Sequence, residues 1–167
     1  MRKGLFKMID KTQIFEILKT ENIPYRNYDH IPVYTVDEAN SIDIPGKDKC
    51  LKNLFLKDKK GNFYLVSLNG SKSIDLKKLR AFLGSTHLHF AGEDDLYKVT
   101  GLRKGHVTPF GILNSRGYDV TAVFDTALED DIIGVHPMQN DATLFMGFED
   151  MRRLIESSGF KVVMYEV

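Results

Sequence analysis

Apolar and polar residues follow two periods along this chain, and these periods predict where helices and strands lie. Ile14, Phe15 and Leu18 recur at helical spacing within residues 11–22, and Pro24 follows them. Because residues three or four positions apart share one face of a helix, this segment is predicted to be an amphipathic helix. The same spacing predicts further helices over residues 75–83, 93–99 and 148–158, and a short one that begins after Thr35.

Short apolar runs bounded by turn residues predict strands. The clearest pair covers residues 50–56 and 63–68, joined by the polar turn KDKKGN, and predicts a β-hairpin. Further strands are predicted over residues 25–30, 86–90, 118–125, 132–135, 143–146 and 161–167. Hairpins are mixed with helices without strict alternation. The order therefore predicts an α+β (mixed α/β) domain, with a mostly antiparallel mixed central sheet and flanking helices.

Composition narrows the class of protein. The chain of 167 residues suits one domain, predicted over residues 11–167 after a tail at 1–10. Lys+Arg and Asp+Glu are both 23, whereas a protein that coats a duplex is normally basic. The single cysteine permits no internal disulfide and favours a reducing compartment, so we expect the cytoplasm. No apolar run approaches the roughly 18 residues of a membrane span, so no membrane partner is expected.

Lys52 is the first candidate for chemistry. It lies within an apolar strand, where alternation places it on one face with Cys50, Leu54 and Leu56. A lysine at such a position either reaches water from the end of the strand or points into a cleft. In a cleft, its ammonium group would bind a phosphate or a polarised carbonyl. The residues alone leave both interpretations open.

Two loops form the next candidates. Residues 105–111 read GHVTPFG, and glycines let a ligand approach main-chain N–H groups that can bind an anion. The P-loop pattern GxxxxGK[ST] is absent, and an ordinary turn is the alternative. Residues 134–143 read GVHPMQNDAT and place His136, Asn140 and Thr143 between two apolar strands. This second loop is either a binding loop or a turn whose Asn and Asp cap the backbone.

Other groups give weaker signals. His87 and His89 share a face of a predicted strand, but the spacing supplies no third metal ligand. Cys50 is either a nucleophile or a small buried residue. No GxSxG nucleophile elbow is present. The sequence therefore predicts neither a metal site nor a cofactor.

Taken together, KNLFLKD, GHVTPFG and HPMQNDAT resemble the YbaK/prolyl-tRNA synthetase-associated editing-domain family. The nearest branch is that of the free-standing prolyl-tRNA deacylases of the ProX/PrdX type, and the resemblance spans about Lys11 to Val167. It implies a mixed, mostly antiparallel sheet with the ligand in a cleft beside the central strands. It also implies hydrolysis of the ester that joins a wrongly attached amino acid, alanine in the first instance, to proline tRNA.

The resemblance also implies residue roles. Lys52 matches the pocket lysine, residues 105–109 match the loop against the aminoacyl group, and His136 matches the histidine of an HP turn. The catalytic residues are therefore expected to be Lys52, Gly105 and His136. The expected substrate-binding residues are Val107, Thr108, Pro109, Phe110, Gly111, Met138, Asn140 and Thr143.

No side chain is an obvious nucleophile, so the resemblance favours a water activated by the ribose hydroxyl of the substrate. Loop N–H groups would stabilise the oxyanion. Lys52 would hold the terminal phosphate or ribose and so position the ester, or it would stabilise the developing charge directly. His136 would shape the pocket or orient the water, and general base is the less favoured alternative. A pocket sized for alanine excludes proline by steric clash, with Val107, Phe110 and Met138 as expected walls.

The expected partner is aminoacylated tRNA at the acceptor end, with prolyl-tRNA synthetase as a second candidate. Basic residues would meet the acceptor stem or form a solvated surface: Lys47, Lys49, Lys57, Arg103 and Lys104. Two alternative functions stay open, a deacylase for cysteine on proline tRNA and a non-catalytic module that binds aminoacyl-tRNA or an amino acid. The oligomeric state and the choice among alanine, cysteine and serine are left open.

Overall fold

The computed structural model describes residues 7–167, apart from the side chain of Val36. Residues 1–6 of the predicted tail lie outside the described residues. The α-helices are α1 Lys11–Thr20, α2 Val36–Ser41, α3 Leu76–Leu83, α4 Glu93–Thr100 and α5 Phe148–Ser157. The strands are β1 Tyr25–Asp29, β2 Leu51–Lys57, β3 Phe63–Asn69, β4 His89–Phe90, β5 Val120–Asp125, β6 Ile132–Val135, β7 Ala142–Gly147 and β8 Lys161–Tyr165. Short 3₁₀ turns cover Lys47–Lys49, Pro109–Asn114 and Thr126–Leu128.

Local capping explains where two of the helices begin. The Asp10 side chain accepts a hydrogen bond from the Gln13 amide, and the Gln13 side chain accepts one from the Asp10 amide. This reciprocal pair satisfies two donors that the first turn of α1 leaves without partners. At α3, the Asp75 side chain accepts from the amides of Lys77 and Lys78. Both helices therefore start where the sequence supplies a short acidic side chain.

The strands form two sheets. Strands β1, β7 and β6 make a three-stranded antiparallel sheet in that spatial order. The second sheet has the order β4-β2-β3-β5-β8, in which β2 pairs antiparallel with β3 and β4. Its pairs β3–β5 and β5–β8 are parallel. Antiparallel pairs therefore outnumber parallel ones, and the predicted mixed, mostly antiparallel α+β fold is confirmed.

A backbone bridge joins the two sheets. Cys50, just before β2, forms an isolated parallel bridge with Gly134 on β6. A Cβ placed on Gly134 would lie 2.8 Å from the Phe145 ring and 3.0 Å from the Cys50 sulfur. Glycine is therefore required here because the two sheets approach too closely for any side chain. The junction matters for function because it places the start of β2 beside β6.

The core lies between the sheets and the helices. Ile133, Leu144 and Met146 point from the three-stranded sheet into this core and are each at most 1% exposed. The opposite face of that sheet, here named the outer face, carries the side chains of Tyr28 and Phe145, whose rings meet edge to face at 5.9 Å. No helix within residues 7–167 combines the length and apolar character that a membrane crossing requires.

One predicted strand was wrong in extent. Residues 86–90 were predicted as a strand, but only His89–Phe90 pairs, with Lys57 and Leu56. The Thr86 hydroxyl instead accepts a hydrogen bond from the Lys59 amide at 2.9 Å, which ties this segment to the hairpin turn. The segment does contain a strand, but it begins at His89. Thr86 binds the hairpin turn and takes no part in the strand pairing.

Candidate functional site

The turn between β6 and β7 is built around His136. Its Nδ1 lies 2.9 Å from the Ala142 carbonyl oxygen, which can only accept a hydrogen bond. Nδ1 therefore carries the hydrogen and donates it. The Met138 amide donates to the His136 carbonyl at 3.0 Å, and Met138 adopts a φ of 69°. A non-glycine residue in the left-handed region is costly, and the buried Met138 side chain holds it there.

The surroundings of His136 favour its neutral form. Burial lowers the pKa of this imidazole below its ordinary value, and the nearby His30 and His106 rings lower it further. The hydrogen bond to Ala142 and the Asp141 carboxylate oppose this effect. A neutral ring that donates from Nδ1 has an unprotonated Nε2. His136 therefore offers an acceptor to a water or a hydroxyl group.

His30 is a site residue that the sequence did not reveal. Its Nε2 lies 2.9 Å from the Thr143 hydroxyl oxygen, and its ring centroid lies 6.3 Å from that of His136. Thr143 pairs with Tyr28 across β1 and β7, and His30 follows two positions later on the same side. His30, His136 and Thr143 therefore gather at one end of the outer face, named here the polar end. The signal was weak, because His30 and Thr143 are 113 residues apart.

The 105–111 loop is anchored from the central sheet. Asn53 on β2 donates a hydrogen bond to the Val107 carbonyl at 3.1 Å, and Ser67 on β3 donates to Asn53 at 2.6 Å. The amides of His106 and Gly111 donate to the carbonyls of Arg103 and Thr108. The amides at 105, 107 and 108 have no main-chain acceptor among residues 7–167. These three are the N–H groups that could face an anion.

Several loop residues lie deeper than a binding surface requires. Phe110 is 1% exposed and belongs to the main core, as does Met138. Their side chains could therefore support a pocket wall from the core side but present almost no surface to a ligand. A Cβ on Gly111 would lie 2.5 Å from a Leu102 methyl carbon, so this glycine serves packing. Pro109 begins the buried 3₁₀ turn. The Thr108 hydroxyl is fully buried and has no hydrogen-bond partner in the described part of the chain.

The loop and the His136 turn lie close together. The His106 imidazole contributes to lowering the pKa of His136. The Asp141 carboxylate has the opposite effect on the pKa values of both imidazoles. The pKa of His106 is lowered, first by burial and then by the Arg103 charge. Two motifs separated by about thirty residues of sequence thus share one electrostatic environment. The structure brings these predicted site segments together.

Asn140 holds the turn from the other side. The Asn140 side-chain amide donates to the Val33 carbonyl at 2.8 Å, and the Asn140 main-chain carbonyl accepts from the Val33 amide at 3.2 Å. The Asp141 carbonyl accepts from the His30 amide at 2.9 Å, and the Asp141 carboxylate accepts from Lys11 at 2.9 Å. Asn140, which is 3% exposed, therefore fastens the segment after β1 to the turn.

Lys52 lies on β2, two positions after the residue that forms the sheet junction. Cys50 faces Gly134 and the Phe145 ring on the outer face, and Lys52 follows two positions later on the same side of β2. The Lys52 ammonium donates to the Lys72 carbonyl. Lys72 in turn pairs with the buried Asp125 carboxylate at 2.6 Å. Lys52 thus lies partly buried on the face of β2 opposite to Asn53, the residue that holds the 105–111 loop.

Cys50 itself is a poor nucleophile. Burial raises the pKa of its thiol, and the Asp48 charge acts in the same direction. The thiolate is the reactive form of cysteine, so the raised pKa leaves it protonated. Its sulfur packs against Gly134. The buried-residue alternative is therefore favoured over the nucleophile.

Of the basic residues predicted to meet tRNA, several already have partners. Lys49 pairs with Asp131 at 2.7 Å and Lys57 with Asp95 at 2.8 Å, each pair about one-third exposed or slightly more. Lys47 donates to the Asn40 carbonyl at 2.8 Å. Arg103 lies over the Tyr97 ring at 5.2 Å. Such exposed pairs are weak, so these cations can exchange partners for phosphate at little cost.

A cavity of about 630 Å³ lies on the other part of the outer face. Tyr28, Ile132 and Phe145 line it together with Pro45, and Arg26 and Lys49 add two cations. We name it the apolar groove. None of the predicted catalytic or substrate-binding residues lines it.

Within residues 7–167, no three His, Cys, Asp or Glu side chains are grouped so that they could hold a metal ion. The His87 and His89 rings stack at 6.3 Å between centroids on the edge of the second sheet.

Comparisons with known proteins agree on one family. The model of the aminoacyl-tRNA editing domain matches residues 30–154. The prolyl-tRNA editing protein ProX of Acetoanaerobium sticklandii is 41% identical over 157 residues, which cover 92% of this chain and 96% of that protein. The prolyl-tRNA synthetase associated domain-containing protein 1 of Danio rerio is 33% identical, over 89% of this chain and 82% of that protein.

Solved structures support the fold. A hypothetical protein superposes with a TM-score of 0.70 at 22% identity, over 92% of this chain and 97% of that one. A protein described as a candidate trans-editing enzyme for prolyl tRNA synthetase gives a TM-score of 0.66 at 18% identity. That match covers 96% of this chain and 99% of the other.

Proposed function

The chain belongs to the aminoacyl-tRNA editing-domain family, and on that premise we propose that it removes alanine from wrongly charged proline tRNA. It is an aminoacyl-tRNA deacylase, a hydrolase of carboxylic esters. The proposal includes action in trans, on a tRNA released by prolyl-tRNA synthetase, within the cytoplasm. Its support is the 41% identity to a prolyl-tRNA editing protein and the resemblance of the three sequence motifs.

One structural observation carries the proposal. The 105–111 loop is anchored to β2, the strand that bears Lys52, and the His106 imidazole of that loop is close enough to the neutral His136 ring to lower its pKa. Ester hydrolysis needs donors for an oxyanion, an acceptor near the attacking oxygen and a group that holds the substrate. These three elements can supply those three needs.

In the proposed reaction, a water attacks the ester carbonyl that joins the amino acid to the terminal ribose. The neighbouring ribose hydroxyl assists the attack by relaying a proton from the water to the departing ester oxygen. The acyl–oxygen bond then breaks, which frees alanine and leaves a hydroxyl group on the ribose. His136 orients the water through Nε2. Amides at positions 105, 107 and 108 stabilise the oxyanion, an effect worth several kcal/mol. Lys52 exchanges its Lys72 carbonyl partner for the terminal phosphate and so positions the ester.

The test is deacylation of proline tRNA charged separately with alanine, cysteine and proline, measured as single-turnover rates with excess enzyme. Wild type should release alanine at least about 10-fold faster than proline, because proline is the larger side chain. Lys52→Ala should lower the alanine rate about 100-fold or more through lost positioning. Lys59→Ala is the matched control, because Lys59 is exposed in the turn that follows β2. It should leave the rate unchanged.

The outcomes separate the alternatives. Faster release of cysteine than of alanine would keep the mechanism and change the substrate. Binding of charged tRNA by folded wild type without hydrolysis of any of the three esters would contradict the enzyme and favour a binding module. Equal losses in Lys52→Ala and Lys59→Ala would remove Lys52 from the site.

A further inference from the structure

Asp125 is a buried acidic residue to which the proposed reaction gives no role. It ends β5 and is 2% exposed. Its Oδ1 accepts a hydrogen bond from the Ala127 amide at 3.1 Å, which caps the 3₁₀ turn that follows. Its Oδ2 accepts from the Lys72 ammonium group at 2.6 Å. A neutral side chain could supply the cap, so the cation on Lys72 is the partner that accounts for a charged residue in a buried position.

Lys72 ends a turn that is fastened to the central sheet. This turn, named here the Lys72 turn, covers residues 69–72 at the end of β3. The Lys72 amide donates to the Asn69 carbonyl at 3.0 Å. The Gly70 amide donates to the Cys50 carbonyl, also at 3.0 Å. These bonds hold the main chain of the turn, and the ion pair holds the side chain of its last residue, so the Lys72 carbonyl has a defined position.

The Lys72 carbonyl is the group that accepts a hydrogen bond from the Lys52 ammonium. A lysine side chain is long and flexible, and it loses rotamer freedom when it is fixed in one place. An acceptor in a defined position restricts Lys52 before the substrate arrives. Less freedom is then lost when the ammonium moves from the carbonyl to the terminal phosphate, and such preorganisation favours the reaction.

The ion pair also separates two positive charges. Lys52 is bonded to the main chain of Lys72, so the two ammonium groups lie within one lysine side chain of each other. Like charges repel, and an unpaired second ammonium would compete for the same phosphate. The Asp125 carboxylate holds the Lys72 ammonium at the end of β5. Lys52 is thereby left as the cation that is free to change its partner.

We propose that Asp125 is a positioning residue for Lys52. Through its ion pair with Lys72 it fixes the carbonyl that holds the Lys52 ammonium, and it keeps the second ammonium away from the substrate. The expected effect on the rate rests on the proposed deacylase function. The expected effect on the Lys52 ammonium does not, so the two can be tested separately.

Asp125→Asn separates the ion pair from the cap. The asparagine Oδ1 can still accept from the Ala127 amide, but the nitrogen that replaces Oδ2 cannot accept from Lys72. The first measurement is the ¹H–¹⁵N NMR signal of the Lys52 ammonium, identified by its absence in Lys52→Ala. A held ammonium exchanges its protons slowly, so the signal should be present in wild type and lost in Asp125→Asn.

The second measurement is the single-turnover release of alanine from proline tRNA. Asp125→Asn should lower this rate about 5- to 30-fold, the range set by the side-chain entropy of one lysine. This loss is smaller than that expected for Lys52→Ala, because the ammonium is still present and only its restriction is lost.

Further variants separate positioning from a structural role. Lys72→Arg keeps both the cation and the main-chain carbonyl, so it should keep the Lys52 signal and a rate within about 3-fold of wild type. Glu156→Gln is the matched control, because it breaks an exposed ion pair of 2.7 Å with Arg152 on α5 and should change neither measurement. Thermal unfolding shows whether each variant is folded. If Asp125→Asn is not, Lys72→Gln replaces it, since its neutral amide is a weaker donor to the carboxylate and should give a smaller loss in the same direction.

Each outcome has one meaning. A Lys52 signal that survives in folded Asp125→Asn would overturn the inference whatever the rate, as would the absence of that signal from wild type. A lost signal together with a wild-type rate would show that the restriction of Lys52 does not serve the reaction, and would also overturn it. A wild type that hydrolyses no ester, with a Lys52 signal that still depends on Asp125, would contradict the proposed function and support the positioning.

Discussion

The outer face of the three-stranded sheet has two ends, one with hydrogen-bonded polar side chains and one with a largely apolar cavity. At the polar end, His30 and Thr143 share a hydrogen bond of 2.9 Å, and His136 is held by the Ala142 carbonyl. At the apolar groove, Tyr28 and Phe145 line a cavity of about 630 Å³. Thr143 and Phe145 are separated by one residue along β7.

The difference shows that cavity size and chemical competence are separate properties. The groove offers volume and apolar surface, with Arg26 and Lys49 as cations and no histidine among its lining residues. The polar end offers hydrogen bonds that fix which nitrogen or oxygen can accept and which can donate. Hydrolysis depends on such preorganised polar groups. We therefore assign the chemistry to the polar end and test that assignment against the groove.

Among the variants that compare the two ends of the outer face, the largest effect is expected at His136. His136→Gln removes the oriented Nε2 acceptor and should lower the single-turnover alanine release about 10- to 100-fold, in the lower range for loss of a proton-handling group. His89→Gln is the matched control, since His89 lies exposed on the edge strand β4. An unchanged rate in His136→Gln would contradict the role given to this ring.

The next prediction concerns stability at the Cys50–Gly134 bridge between the two sheets. Gly134→Ala places a methyl group 2.8 Å from the Phe145 ring and 3.2 Å from the Cys50 Cα atom. The backbone of Cys50 cannot yield as a flexible side chain does, so overpacking should cost about 1–3 kcal/mol of unfolding free energy. Denaturant unfolding measures this cost. A variant as stable as wild type would show that the sheets tolerate a wider separation.

A smaller effect concerns pH. The pKa values of His136 and His106 are lowered in the folded protein, so the unfolded chain binds more protons as the pH falls through about 6.5. Folding stability should therefore decrease below that pH. His136→Gln should show a shallower decrease, measured by denaturant unfolding at several pH values. An equal slope in the variant would mean that His136 is not held neutral by the fold.

The smallest effect is expected in the groove. Ile132→Gln adds a polar group to the groove lining, where Ile132 is 49% exposed, and so should cost little stability. With enzyme in saturating excess, the rate of alanine release should change less than about 3-fold, because no reacting group lies there. A loss as large as that of His136→Gln would move the chemistry into the groove.

Local patterns predicted most of the fold, and long-range contacts account for what was missed. Helix α1 and the β2–β3 hairpin follow from periodicity and turn residues within a few positions. The arrangement of the strands in two sheets, joined by the Cys50–Gly134 bridge, depends on long-range contacts that no local pattern encodes. Segment 86–90 was predicted too long because the Thr86 hydroxyl serves the hairpin turn.

The candidate site shows the same division. The 105–111 loop and His136 were found from short motifs, and the structure places them in one electrostatic environment. His30 was missed because its meaning comes from Thr143, which lies 113 residues away. Asn140 was predicted to bind substrate, but its side-chain amide donates to Val33. The roles of Lys52, Gly105 and His136 stay predictions that the rates above test.

The most direct test of the central claim is to locate the bound aminoacyl end. Two-dimensional NMR of the wild-type protein would follow a titration with a 3′-amino-3′-deoxyadenosine that carries alanine as a stable amide. The account predicts shifts of the amides of Gly105, Val107, His136 and Thr143. Saturable shifts confined to Tyr28, Ile132 and Phe145 would place the aminoacyl group in the apolar groove and contradict the account.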